Sequence, residues 1–224
     1  MLKSTRFTHL TFDCYGTLID WRTGIERELT KALEGRVKLS GTHLLAAYVE
    51  AEKSQEATYR KYREVLQETV VSMSGVLGAE ITDSAAREFA ASVPKWPAFP
   101  DTARFLREAG SRGFKRYILS NVDNDILEET IKRHGLEVDG CVTAEEVGSY
   151  KPNPAHWIRF MAKTGIQKGS MLHCAQSVYH DIIPTQSMGI PSAWVNRYDE
   201  KLGPRVEPSY ICDSLENLAG VLDR

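Results

Sequence analysis

The chain is expected to adopt an α/β fold, a doubly wound parallel sheet with an inserted block of helices. Three observations point there. Short apolar runs rich in β-forming residues recur at Phe7–Asp13 (FTHLTFD), Tyr117–Ser120 (YILS), Met171–Ala175 (MLHCA), Ser192–Val195 (SAWV) and Tyr210–Cys212 (YIC). Each reads as a strand buried on both faces. Helix-patterned segments alternate with them at Thr102–Ala109, Asn124–His134, Pro154–Thr164 and Tyr179–Ser187. Alternation of this kind requires right-handed crossovers, a parallel sheet, and functional residues at the carboxyl ends of the strands. Between Trp21 and Trp96, by contrast, three or four helical patterns follow one another with no strand among them.

Taken in order, the first strand ends at Asp13 and runs into Cys14-Tyr15-Gly16-Thr17, where the glycine permits a tight turn. In the insertion, Leu44–Val71 has the strongest helical character, with Tyr48, Glu52, Gln55, Tyr59, Tyr62 and Leu66 near turn spacing. Pro94, Pro97 and Pro100 then interrupt helix and return the chain to the core. Residues 1–20 and 97–224 are therefore expected to form the core, and residues 21–96 a helical cap. Trp21, Tyr48, Trp96 and Phe99 flank the cap junctions, where their rings could wall a small apolar pocket; Trp194 belongs to a core strand.

Composition narrows the function classes. With 224 residues, 42% of them apolar and 26% charged, the chain has ordinary globular usage. Its 28 basic and 30 acidic residues give a net charge of −2, which provides no electrostatic case for nucleic acid. Cys14, Cys141, Cys174 and Cys212 lack CxxC spacing and read as buried free thiols rather than a zinc cage or redox pair. His9, His43, His134, His156 and His173 share no ligand spacing and are assigned no role. No run approaches the roughly 20 apolar residues of a membrane span, and the opening MLKSTRFTHLTFD has no signal-peptide core. A cytoplasmic enzyme with no membrane partner is expected, with a homodimer left open.

Four clusters carry chemistry. FDCYGTLIDW places a carboxylate, Asp13, at a strand end and a hydroxyl, Thr17, four residues later. Such a carboxylate can act as a nucleophile inside a shell of loop amides, or simply anchor the loop. ILSNVDN puts Ser120 and Asn121 past the next strand, suited to holding a carboxylate or to capping the following helix. GSYKPNP fixes Lys151 at a helix entrance; beside Asp13 its ammonium would keep the carboxylate ionised and push its pKa down. HCAQSVYHDIIP supplies Gln176, Ser177, His180 and Asp181 after a buried strand.

In this order the clusters resemble the haloacid dehalogenase-like superfamily over nearly the whole chain. The resemblance implies a Rossmann-like core with a cap and makes Asp13 the nucleophile. Thr17, Ser120 and Asn121 would position groups around it, Lys151 would pair with it, and Asp181 would orient the lysine or the hydrolytic water. Magnesium-dependent phosphatases of the superfamily carry Asp-x-Asp in the first cluster and an acidic residue opening the fourth. Here Tyr15 and Gln176 stand in those places, so no metal and no cofactor is expected.

DCYGTLIDW, YREVL and WPAFPDT are similar instead to the L-2-haloacid dehalogenase branch. Its members displace a leaving group at C2 of a small carboxylic acid through an aspartyl ester, giving a 2-hydroxy acid. The likeness implies substrate contacts at Tyr15, Thr17, Trp21, Ser120, Asn121, Gln176, Ser177 and His180. Several positions depart from that branch: no arginine occurs at Tyr48–Glu50, Trp157 replaces a tyrosine, and Gln176-Ser177-Val178 replaces Ser-Ser-Asn. Ser177-Val178-Tyr179-His180-Asp181 is similar to azetidine-2-carboxylate hydrolases, in which His180 would serve a departing amine. A ring-opening hydrolase and a magnesium-dependent phosphatase are the alternatives.

Overall fold

A computed structural model describes residues 7–33 and 41–222. The core is a six-stranded, all-parallel sheet in the order β3-β2-β1-β4-β5-β6. Strand β1 spans His9–Phe12, β2 Lys115–Ser120, β3 Gly140–Thr143, β4 Met171–Ala175, β5 Ser192–Val195 and β6 Tyr210–Cys212. Leu10, Phe12, Ile118, Leu172, Cys174 and Ala193 are fully buried in the sheet, as strands covered by helices on both faces require. From β1 the strand order runs outward in both directions, so the crevice between β1 and β4 is the topological switch point where such sheets bind ligands.

The first strand ends one residue earlier than the sequence suggests, at Phe12, which leaves Asp13 just outside the ladder. Strand β3 (GCVT) is not among the expected strands, because four residues containing glycine and cysteine carry little β signal. It forms by pairing with β2.

Between β1 and β2 lie α1 (Trp21–Ala32), α2 (Gly41–Gln55), α3 (Tyr62–Ser72), the single turn α4 (Ser74–Leu77), α5 (Asp83–Ser92) and α6 (Thr102–Ser111). Asp20 caps α1, its carboxylate accepting from Thr23 N, and Thr82 caps α5 through Ala85 N. The segment Leu44–Val71, which has the strongest helical character in the sequence, is divided between two helices, α2 and α3. Asp123 of the core accepts from Tyr62 N at 2.9 Å and Arg63 N at 3.0 Å, and Tyr150 Oη donates to Arg60 O at 2.8 Å. A carboxylate held against the first amides of a new helix favours that start, so core contacts decide where α3 begins. Gly24 of α1 lies against Trp96; an added Cβ would sit 2.3 Å from the indole Cγ.

The remaining helices are α7 (Asn124–His134), α8 (Ala144–Val147), α9 (Ala155–Thr164), α10 (Ile183–Met188) and α11 (Leu215–Leu222). A π-helical turn, Val178–Ile182, precedes α10, so the expected helix at Tyr179–Ser187 starts wider than an α-helix. The turn sets Asp181 facing the crevice. Among the described residues no helix is long and apolar enough to cross a membrane. All four cysteines are free, with Cys14, Cys174 and Cys212 buried and Cys141 partly so.

Candidate active site

The loops following β1, β2 and β4 converge beneath α1–α3 on a cavity of about 940 Å³, walled in part by Asp13, Trp21, Tyr48, Trp96, Ser120 and Lys151. Lys151 is its electrostatic centre. The side chain is only 1% exposed, and Nζ donates to Asp13 Oδ1 at 2.8 Å, Asp181 Oδ1 at 2.8 Å and Leu119 O at 3.0 Å. Three donors meet three acceptors, which is what a buried ammonium requires. Asn121 fixes the lysine from behind: its Oδ1 accepts from Lys151 N at 2.7 Å and its Nδ2 donates to Lys151 O at 3.1 Å. Its amide therefore grips the lysine backbone instead of contacting Asp13.

The other oxygen of Asp13 accepts from Thr17 Oγ1 at 2.9 Å, and Thr17 Oγ1 itself accepts from Gln176 N at 2.9 Å. Thr17 is fully buried and does not reach the cavity surface, so it positions Asp13 rather than touching a ligand. Gly16, with φ of 108°, makes the turn possible; a Cβ there would meet Trp21 Nε1 at 3.0 Å.

Charge balance differs from the expectation that lysine would push the Asp13 pKa down. Burial lifts the Asp13 carboxyl above its ordinary value, and the opposing pull of Lys151 does not cancel it. Burial also acts to raise Asp181, but Lys151 and a hydrogen bond from His173 outweigh it and hold that carboxyl well below the usual carboxylate range. Burial would lower Lys151, yet Asp13 and Asp181 raise it above its ordinary value. One lysine shared by two carboxylates thus favours ionised Asp181 over Asp13.

His173, assigned nothing from sequence, is part of this network. Its Nε2 lies 2.9 Å from Asp181 Oδ1 and its Nδ1 2.9 Å from Thr11 Oγ1. Because the carboxylate can only accept, Nε2 carries a proton toward it. Thr11 and His173 are register partners on β1 and β4, so the sheet itself sets this contact. A polar residue inside the otherwise apolar MLHCA run is the available signal. His156 Nε2 likewise contacts Ser120 O at 3.1 Å, with burial and then Lys151 lowering its pKa to about 3.

Among the other expected contacts, Tyr15 gives its ring to the cavity, but its hydroxyl turns away to Thr130 Oγ1 at 2.7 Å. Trp21 lines the cavity, as do Tyr48 and Trp96; Phe99 does not, and instead lies under the Arg197 guanidinium at 4.2 Å. Ser120 Oγ is buried at the cavity with no protein partner among the described residues. Gln176 lines the cavity while its Nε2 donates to Glu200 Oε2 at 3.0 Å; Glu200 in turn pairs with Arg22. Ser177 Oγ accepts from His180 N at 3.1 Å and lies 3.0 Å from His180 Nδ1. His180 faces the cavity, its pKa lowered to about 4 by burial, so it is neutral at neutral pH. Trp157 lies outside the cavity, edge-on to His173 at 5.3 Å. Trp194 Nε1 supports the loop by donating to Gln176 O at 2.8 Å.

The donor set does not suit the magnesium ion used by phosphatases of this fold. Asp181 Oδ1 is taken by both Lys151 and His173, the Tyr15 hydroxyl faces Thr130, and the Gln176 amide is held by Glu200. Among the described residues no group of three or more His, Cys, Asp or Glu side chains could hold a metal ion.

A parallel sheet with polar loops gathered over its switch point, and a buried Asp–Lys–Asp cluster there, defines an α/β enzyme core. The family model for haloacid dehalogenase-like hydrolases matches residues 7–174, and the chain belongs to that family of hydrolases. It is 29% identical over 126 residues to haloacid dehalogenase-like hydrolase domain-containing protein 3 of Danio rerio, covering 55% of this chain and 52% of that protein. The chain thus spans about half the length of that relative. It is 22% identical over 192 residues to (S)-2-haloacid dehalogenase 4A of Burkholderia cepacia, covering 83% of this chain and 81% of that one. The structure of L-2-haloacid dehalogenase from Xanthobacter autotrophicus with chloropropionic acid covalently bound superposes with a TM-score of 0.84. That match has 20% identity and covers 96% of this chain and 98% of that one, so the fold is shared.

Proposed function

We propose that this hydrolase works without a metal by covalent displacement at C2 of a small carboxylic acid. Asp13 attacks C2 and the substituent leaves with the bonding pair, giving an aspartyl ester. Water then adds at the Asp13 carbonyl carbon and releases a 2-hydroxy acid, so that one hard displacement becomes two easier reactions. The main support is the pinning of Asp13 on both oxygens, by Lys151 at 2.8 Å and Thr17 at 2.9 Å, at the wall of the cavity. A carboxylate so held cannot rotate away from its target. Both aspartates are buried, but Lys151 and His173 hold the proton affinity of Asp181 down while that of Asp13 stays raised, which makes Asp13 the better nucleophile of the two.

The remaining groups divide the work. Ser120 Oγ, buried and unpartnered among the described residues, is available to donate to the substrate carboxylate. Asp181 Oδ2 is buried, has no described partner and can accept from the hydrolytic water. With its pKa held low, Asp181 orients that water rather than taking its proton outright. Lys151 faces the oxygen on which charge gathers as water adds to the ester. In this reading residues 21–96 are the cap that excludes bulk water from the cavity.

The reading is supported at a finer level than family by the likeness to the (S)-2-haloacid and L-2-haloacid dehalogenases. Its test is a single turnover in heavy-oxygen water: label should enter the Asp13 carboxylate first and reach product only in later turnovers. Label in the first-turnover product with Asp13 unlabelled would mean that water attacks the substrate directly.

A further inference from the structure

We propose that His173 is a positioning residue for the second step of the reaction, locking the Asp181 carboxylate so that one oxygen stays free for the hydrolytic water and Lys151 stays free for the ester. This rests on the aspartyl ester of the preceding reading and concerns the step that breaks it down. His173 and Asp181 are both fully buried. Among the described residues, Lys151 and His173 are the side-chain donors to Asp181: Nζ at 2.8 Å and Nε2 at 2.9 Å meet the same oxygen, Oδ1, and Oδ2 is buried with no described partner. The imidazole is itself held, with Nδ1 2.9 Å from Thr11 Oγ1 and the Trp157 ring edge-on at 5.3 Å. The backbone of Asp181 is fixed separately, its N donating to Ser177 O at 3.2 Å and its O accepting from Thr185 Oγ1 at 2.7 Å. What His173 adds is control over rotation of the carboxylate.

That control matters most once Asp13 has become an ester. Before then Lys151 is shared by two carboxylates. Afterwards Asp13 carries no charge, and Asp181 is the carboxylate left on the ammonium. A buried ion pair gains by tightening, and here it would do so by turning both oxygens of Asp181 toward Nζ. The acceptor for water would then be lost, and Lys151 would be drawn off the Asp13 oxygen on which charge gathers. The His173 hydrogen bond opposes that turn, because breaking it leaves a buried N–H unpaired. In the step so protected, the water oxygen bonds to the Asp13 carbonyl carbon and the bond from that carbon to the oxygen on C2 breaks. One water proton ends on the departing oxygen, and the other leaves to solvent as Asp13 returns to its carboxylate. Formation of the ester needs none of this, since at that stage Asp13 itself holds Lys151 by a 2.8 Å contact.

The test separates the two steps. His173→Leu keeps bulk and loses the donor, whereas His173→Gln offers an amide N–H in place of Nε2–H. Each full-length variant is mixed with 2-chloropropionate, quenched rapidly, and weighed as intact protein to follow the adduct on Asp13. In His173→Leu, ester hydrolysis should slow about tenfold or more, the scale of a hydrogen bond to a charged group, so that adduct accumulates while its formation changes far less. His173→Gln should recover most of the hydrolysis rate, which packing alone does not explain, since the two replacements are of similar size. Equal slowing of both steps, or hydrolysis as slow with Gln as with Leu, overturns the assignment. Should His173→Leu not fold, Thr11→Val, which removes only the hydroxyl beside Nδ1, takes its place, and an unchanged balance of the two steps there overturns it. Urea unfolding at neutral pH supplies an arm that needs no substrate: His173→Gln should be more stable than His173→Leu, and Asp181→Leu, which removes the acceptor, should erase or reverse that difference. A difference that survives Asp181→Leu overturns the assignment. If the difference is erased as expected and yet no protein forms an adduct, displacement at C2 falls while the hold of His173 on Asp181 stands.

Discussion

Replacing Lys151 with methionine removes the one cation between two buried carboxylates while roughly keeping the volume of the side chain. The ammonium makes contacts of 2.8 Å to Asp13 and to Asp181 and is 1% exposed, so water cannot take its place. Removing one partner of a buried ion cluster costs about 3–5 kcal/mol because the partner charges are left uncompensated. That is a large share of the roughly 5–15 kcal/mol by which domains are stable. The loss should depend on pH in a defined direction. Without the lysine, both aspartates have folded-state pKa values raised above the unfolded value of about 4. Protonated, they are tolerated; as pH rises through their raised values, the folded state must either hold buried charge or keep protons that the unfolded chain has released. The variant should therefore lie closest to the unaltered protein near pH 4 and fall away toward pH 7. Urea unfolding across that range measures it, and adding Asp181→Asn to Lys151→Met should recover part of the loss. A destabilisation that is flat with pH and not relieved by the second change would refute the charge argument and leave only lost packing.

Three further outcomes follow from the same geometry. Turnover of the true substrate should persist in excess chelator; complete loss restored by magnesium would overturn the metal-free mechanism. In the pH profile of kcat/KM, the acid limb should fall above the ordinary carboxylate value of about 4, because burial raises Asp13 and only its ionised form attacks. A limb at or below that value would show that Lys151 outweighs burial. Gly24→Ala should lower stability by about 1–3 kcal/mol through overpacking, since its Cβ would stand 2.3 Å from Trp96; an unchanged midpoint in urea would show that the indole can shift aside.

What can be read from the sequence is whatever a strand end makes local. Asp13 and Gln176 directly follow β1 and β4, and Ser120 closes β2, so finding the strands places the clusters. Alternation of strands with helices then puts them at one end of the sheet. The break between α2 and α3 is not readable, because Gln55 to Lys61 contains neither glycine nor proline. It is imposed by Asp123 and Tyr150, side chains 60 and 90 residues away in sequence. His173 escapes notice for a related reason: a lone histidine in a buried strand resembles core filling until the register of β1 with β4 brings Thr11 and the π-turn brings Asp181 to its two nitrogens. In sequence, Glu52 is one member of a helical stripe with Tyr48 and Gln55, and nothing local shows which way it faces. The inward direction of Glu52 comes from contacts between helices, since Tyr48 of α2 and Tyr62 of α3 both donate to its Oε1. The strand ends that carry Asp13, Ser120 and Gln176 are therefore written in short segments, whereas the cavity walls are made by contacts between segments, such as those of α2 with α3.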